Sequence, residues 1–165
     1  MQILICPGMH SPVLTESFVS KLHLSLEGVR IFPSDRQPVY SPRHVLDFFS
    51  PDDSVLIIAF SAGVVGAIAT ARIWRHQGIQ IQALIAIDGW GVPLFGDFPI
   101  HRVSHDRFTH WSSLILGGNA THFYADPPVD HLTLWHSPET VQGVVEPSNR
   151  IVDAATFLSE LIHIH

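Results

Sequence analysis

A chain of 165 residues, 46% of them hydrophobic and 15% charged, carries enough apolar side chains for one well-filled core and too few residues for two ordinary domains, so a single domain spanning 1–165 is expected. With 9 Lys and Arg against 15 Asp and Glu, the formal charge of −6 offers no basic face, and neither nucleic acid nor an anionic membrane is an expected partner. The one cysteine excludes an internal disulfide, and the first residues have no basic region followed by a long apolar run, which makes a cytoplasmic location the expectation.

In chain order, Ile3-Leu4-Ile5-Cys6 reads as a strand stopped by Pro7-Gly8, and Ser11-Pro12 opens a helix with Leu14, Phe18 and Leu22 on one face. Residues 28–33 read as a second strand. Ser41-Pro42 starts a second helix carrying Val45, Leu46, Phe48 and Phe49, which Pro51 ends. Residues 55–60 are apolar throughout, the mark of a strand buried on both faces, and they pass at Ser61 into a small-residue helix that runs through Ile73 and Trp74 to Gly78. Residues 82–88 form a fourth strand ending in the Asp88 carboxylate. This alternation predicts an α/β fold with a mostly parallel sheet of about five or six strands and helices on both faces.

Residues 89–111 break the rhythm, with Trp90, Phe95, Phe98, Phe108 and Trp111 set among Asp, His and Arg, and read as an excursion over the sheet. Ser113-Leu114-Ile115-Leu116 is read as a further strand, ended by Gly117-Gly118. A loop containing Asp126-Pro127-Pro128 leads to Asp130-His131-Leu132-Thr133, Ser137-Pro138 starts a short helix, and a last amphipathic helix carries Ile151, Val152, Ala155, Leu158 and Ile162.

A serine on a sharp strand-to-helix turn has its hydroxyl exposed and the next N–H facing the same space, which is the geometry of a nucleophile elbow. Ala59, Ala62 and Gly63 supply the small neighbours that such a turn needs, although strand-to-helix turns with Ser and Gly also occur without catalysis. A serine hydroxyl needs an imidazole to take its proton and a carboxylate to fix that imidazole's tautomer. Reactive groups in open parallel sheets collect at the carboxyl ends of strands, where Ser61 and Asp88 both fall. His131, following two prolines, completes the order Ser, Asp, His. Asp130 adjoins the histidine and Asp126 would need a tight return, so Asp88 is the expected acid.

These segments resemble the α/β-hydrolase superfamily, and within it the thioesterase domains of polyketide and non-ribosomal peptide synthesis: Phe60-Ser61-Ala62-Gly63 resembles their elbow, Ala86-Ile87-Asp88 their acid-bearing strand, and Asp130-His131-Leu132-Thr133 their base-bearing stretch. Ala59 replaces the usual first elbow glycine, and the link from Asp88 to His131 is shorter than in that family. The resemblance implies a minimal hydrolase core with the lid reduced or absent, and catalytic roles for Ser61, Asp88 and His131. It also implies a small-molecule or carrier-bound acyl substrate and no cofactor.

The oxyanion hole is expected from the N–H groups of Ala62 and Met9, the latter in a Pro7-Gly8-Met9-His10-Ser11 loop that also reads as a plain turn. His10, Trp90 and Phe95 are the expected substrate contacts. His101, His105 and His110 with Asp97 and Asp106 form the densest histidine cluster of the chain, but no known metal-ligand spacing accompanies them, so no metal is expected. Cys6 reads as a small core residue, with a strand-end nucleophile as the alternative. Two functions therefore stand: an acyl hydrolase, and a non-catalytic binding or assembly module that uses the aromatic surface of residues 90–111.

Overall fold

The computed structural model describes residues 2–165 and contains an eight-stranded sheet in the order β2-β1-β3-β4-β5-β6-β7-β8. The apolar runs of the first half form β1 (Gln2–Cys6), β2 (Val29–Ile31), β3 (Ser54–Phe60) and β4 (Gln80–Ile87), followed by β5 (Ile100–Ser104), β6 (His122–Ala125), β7 (Gln142–Glu146) and β8 (Arg150–Asp153). β1 to β6 are parallel, while β7 and β8 return antiparallel at one edge.

Among the described residues, six α-helices accompany the sheet: α1 (Pro12–Lys21), α2 (Pro42–Phe48), α3 (Ala62–His76), α4 (Arg107–Leu114), α5 (His131–His136) and α6 (Ala154–Ile164). Proline occupies the first turn of α1 and α2, where its missing N–H is no loss, and Gly78 at φ 91° follows the C-cap of α3. Successive strand side chains point to opposite faces, so each apolar strand feeds two cores. Ile5, Ile58, Phe60 and Ile85 pack with Trp135 and Phe157 of α5 and α6, whereas Leu4, Ile57 and Ala59 pack with Ala67, Ala71 and Trp74 of α3.

The sheet is wider than the five or six strands expected, for identifiable reasons. β5 lies inside the 89–111 excursion, its Ile-His-Arg-Val-Ser sequence concealing a strand because the polar side chains are themselves buried and bonded. Arg102 donates to the carbonyls of Gly117, Val92 and Leu116 at 2.7, 3.0 and 3.1 Å, and so pins residues 89–99 against the segment that follows α4. In β7, Gly143 interrupts the apolar pattern because Phe123 lies across it, where a Cβ would come within 2.3 Å of the ring.

Two further expectations are corrected. Residues 113–116 are not a strand: they fall at the end of α4 and the turn after it, in a helix capped by Asp106, whose carboxylate accepts the Thr109 N–H at 2.6 Å. Ile151 and Val152 belong to β8 and not to the last helix, because Asp153 caps α6 by accepting the Thr156 N–H at 2.8 Å. Among the described residues, no helix is long and apolar enough to cross a membrane.

The β5–β6 end of the sheet makes stability depend on pH. His101 donates from Nδ1 to the Thr121 carbonyl at 2.9 Å and meets His165 Nε2 at 3.1 Å, while His122 Nδ1 accepts the Arg102 N–H at 3.1 Å. Burial pushes the His101 and His122 imidazoles down to about 4. An unfolded imidazole titrates near about 6.5, so the unfolded chain binds more protons between these values. Their contribution is therefore complete above pH ~6.5 and is lost as the pH falls towards ~4. The melting temperature is expected to drop between pH 7.5 and 4.5, and an unchanged value would contradict these assignments.

Candidate active site

Four adjacent strands, β3 to β6, bring one candidate side chain each to the carboxyl edge of the sheet. Ser61 follows β3, Asp88 follows β4, His105 follows β5, and His131 opens α5 after β6. The direction of strand addition reverses between β1 and β3, so this edge is also the switch point where open parallel sheets form their crevice.

Ser61 has φ 53° and ψ −121°, a conformation that L-residues avoid and that functional sites retain. Its N–H donates to the Ile87 carbonyl at 2.9 Å. α3 leaves this turn so close to β1 that a Cβ on Gly63 would sit 2.1 Å from the Cys6 carbonyl oxygen, which is why the position after Ala62 holds glycine. Ala59, by contrast, is fully buried in the core beneath α3, so its methyl group is accommodated.

Asp88 is the centre of the site. Its carboxylate is buried, and its Oδ2 accepts from His131 Nδ1 at 2.7 Å and from His105 Nδ1 at 2.9 Å, while Oδ1 accepts the backbone N–H of His105 at 2.8 Å. Burial opposes ionisation, but the hydrogen bonds from His105 and His131 and the charge of His105 outweigh it, holding the carboxyl below its ordinary range. An ionised carboxylate only accepts, so both Nδ1 atoms carry protons, and Nε2 is the His131 nitrogen that Asp88 leaves unbonded. The His131 ring is held from below by stacking on Phe60 at 4.5 Å between centroids, and Phe60 in turn stacks on Trp135 at 4.9 Å.

Ser61, Ala62, Asp88, His105 and His131 line one cleft of about 320 Å³, walled by Val65, Trp90, Val92 and Thr109. Among the described residues, no hydrogen bond joins the Ser61 hydroxyl to either imidazole. The loop after β1 passes over Ser61, since a Cβ on Gly8 would lie 3.1 Å from Ser61 Cβ. Met9 follows in that loop with its side chain in solvent, and the Met9 N–H has no backbone acceptor among the described residues.

Of the expected substrate contacts, Trp90 lines the cleft and donates from Nε1 to Ser112 Oγ at 2.9 Å. His10 does not line it: its ring packs on Phe60 and Trp135, with Nδ1 donating to the Ser11 carbonyl at 3.0 Å. Phe95 is also placed elsewhere. Leu94 is buried and tied to the segment after α4 through Leu116 and Gly118, which turns Phe95 towards Arg72, Arg75 and His76 at the end of α3.

The histidine cluster is dispersed. His101 faces His165, His110 donates to Glu146 at 2.8 Å, and Asp97 accepts from Arg75 at 3.0 Å. Of its three histidines, His105 alone lines the cleft, with Asp106 beside it, and the sequence reading missed it there because the strand that delivers it was hidden in the aromatic excursion. Asp88, His105 and His131 each bring one donor atom within 4.8 Å of the others, a proximity that hydrogen bonding to one carboxylate oxygen accounts for. A cation could be shared by them only by displacing both Nδ1 protons from Asp88. Cys6 is fully buried, and burial pushes its thiol up to about 12, so it stays protonated as a core residue.

The arrangement offers a serine on a strained turn, an imidazole fixed by a buried carboxylate, and backbone N–H groups at a helix start. No family model matches the chain, and no curated protein matches it.

Proposed function

We propose that the protein is a serine hydrolase that cleaves an ester or thioester through Ser61, His131 and Asp88. The observation that carries this reading is the buried Asp88 carboxylate holding the His131 Nδ1–H at 2.7 Å in the cleft that Ser61 lines. In the reaction His131 Nε2 removes the Ser61 proton as Oγ attacks the acyl carbon, then returns it to the departing alcohol or thiol. Water, deprotonated by the same nitrogen, releases the acid and restores Ser61. The Ala62 and Met9 N–H groups receive the developing oxyanion.

The sheet then corresponds to a minimal α/β-hydrolase core. Residues 89–99 contain no helix, so the lid is reduced to a loop and the cleft stays open beside exposed Val65 and Trp90. That opening suits a small or carrier-bound acyl group. A hydrolase-fold binding module is the second reading, favoured by Phe108, Trp111 and Ile115, which are 74%, 59% and 83% exposed along and just after α4.

Hydrolysis of short p-nitrophenyl esters separates the two readings. The hydrolase is expected to turn over, to lose rate on acidification as its imidazole base protonates, and to be indifferent to EDTA. Loss of activity with EDTA and its recovery with zinc would assign the chemistry to a metal instead. No turnover with any acyl ester or thioester would favour the binding module.

A further inference from the structure

We infer that His105 is held as an imidazolium between two carboxylates and acts as a positioning residue that offsets the charge of Asp88 beside His131. This rests on the hydrolase reading for its catalytic consequence, but not for the charge itself.

The geometry supplies the argument. His105 Nδ1 lies 2.9 Å from Asp88 Oδ2, and His105 Nε2 lies 3.2 Å from Asp106 Oδ2. Carboxylate oxygens accept and do not donate, so a neutral His105, with its one proton on Nδ1 towards Asp88, would leave the Nε2 lone pair close to the Asp106 carboxylate with no proton between them. Protonation at both nitrogens removes that repulsion. The groups that face His105 are Asp88 from the end of β4, His131 and Asp130 from the start of α5, and Asp106 from its own turn. The hydrogen bond to Asp88 raises the proton affinity of His105, burial opposes it, and the charges of Asp88, Asp106 and Asp130 add to the rise.

The consequence for His131 follows from sharing. Both imidazoles use the same Oδ2, and their rings are 6.0 Å apart, nearly perpendicular. An ordinary Asp–His pair presents a net negative charge to the base and so favours its protonation. Here the His105 cation cancels that charge, and a second proton on His131 would set two cations on one carboxylate. Asp88 also remains anchored when the His105 ring is changed, because the backbone N–H holds Oδ1.

Long-range ¹⁵N–¹H NMR of the wild-type protein tests the charge without reference to activity. At pH 7 both His105 nitrogens are expected to show protonated-type shifts, while one His131 nitrogen shows a lone-pair shift. In Asp106→Asn, which retains a side chain able to cap α4, His105 is expected to lose its second proton at lower pH than in the wild type. A His105 with one unprotonated nitrogen at pH 7 would overturn the inference and leave the hydrolase reading intact.

The catalytic half is read from the pH profile of kcat/KM. His105→Gln is expected to move the acid limb to higher pH by about 1 unit, and His105→Arg, which keeps a cation, to move it less. A merely structural role would lower the rate without moving the limb, and an unmoved limb in His105→Gln would overturn the inference. If the wild type hydrolyses nothing, the hydrolase reading falls while the NMR result still decides the charge of His105.

Discussion

Replacing Asp88 with Asn is expected to lower turnover by about four orders of magnitude, the loss that the same change causes in a serine protease triad. The hydrogen bonds explain why an isosteric amide fails. The His105 backbone N–H, 2.8 Å from Oδ1, requires an acceptor and so fixes the amide oxygen on that side. The amide NH₂ then occupies the place of Oδ2 and faces both imidazoles, 2.7 and 2.9 Å away. Each ring must offer it a lone pair from Nδ1, which moves the His131 proton to Nε2, the nitrogen that should receive the proton of Ser61. Steady-state kinetics on Asp88→Asn, with circular dichroism to show an unchanged fold, checks this. An activity within tenfold of wild type would remove Asp88 as the acid. Asp126→Asn is the control and is expected to cost little, since neither oxygen of Asp126 bonds to the His131 ring.

Replacing Ser61 with Ala is expected to cost still more, about six orders of magnitude in kcat, as loss of the nucleophile does in subtilisin. The change removes one oxygen and leaves the turn to a residue that also tolerates φ 53° poorly, so the backbone, held by the Ser61 N–H to Ile87 and by the close fit of Gly63, has no new reason to move. Any remaining rate reflects oxyanion stabilisation and binding alone. Residual activity equal to that of the wild type would place the nucleophile elsewhere in the chain.

The part of this arrangement that was legible in the sequence is the part built from uninterrupted apolar runs. Residues 55–60 and 83–87 are apolar and buried throughout, so burial between helices and a parallel neighbour was the available solution, and it set Ser61 and Asp88 at adjacent strand ends. Pro12, Pro42 and Gly78 marked helix limits through backbone restrictions that hold whatever the tertiary context. Legibility failed where buried polar groups find partners far away in sequence. His101 and Arg102 lie among the polar residues of the 89–111 excursion but are satisfied by Thr121, Gly117, Val92 and Leu116, and this concealed β5.

With β5 hidden, His105 could not be placed at a strand end beside Asp88, although the rule that located Asp88 would have located it too. Phe95 was misplaced for a related reason. The pairing of Leu94 with the segment after α4 sets which side chain turns inward, and nothing local in residues 92–96 signals that long-range contact. The β7–β8 edge was missed because Gly143 answers to the Phe123 ring across the strand pair, while Ile151 is left 72% exposed on the last strand.

The central claim is that Ser61 is an activated nucleophile, and intact-mass spectrometry after treatment with a fluorophosphonate tests it most directly. The wild-type chain is expected to gain the mass of one phosphonyl group, with none on Ser61→Ala and far slower labelling of Asp88→Asn. An unlabelled wild type, or an adduct that persists in Ser61→Ala, would contradict the account.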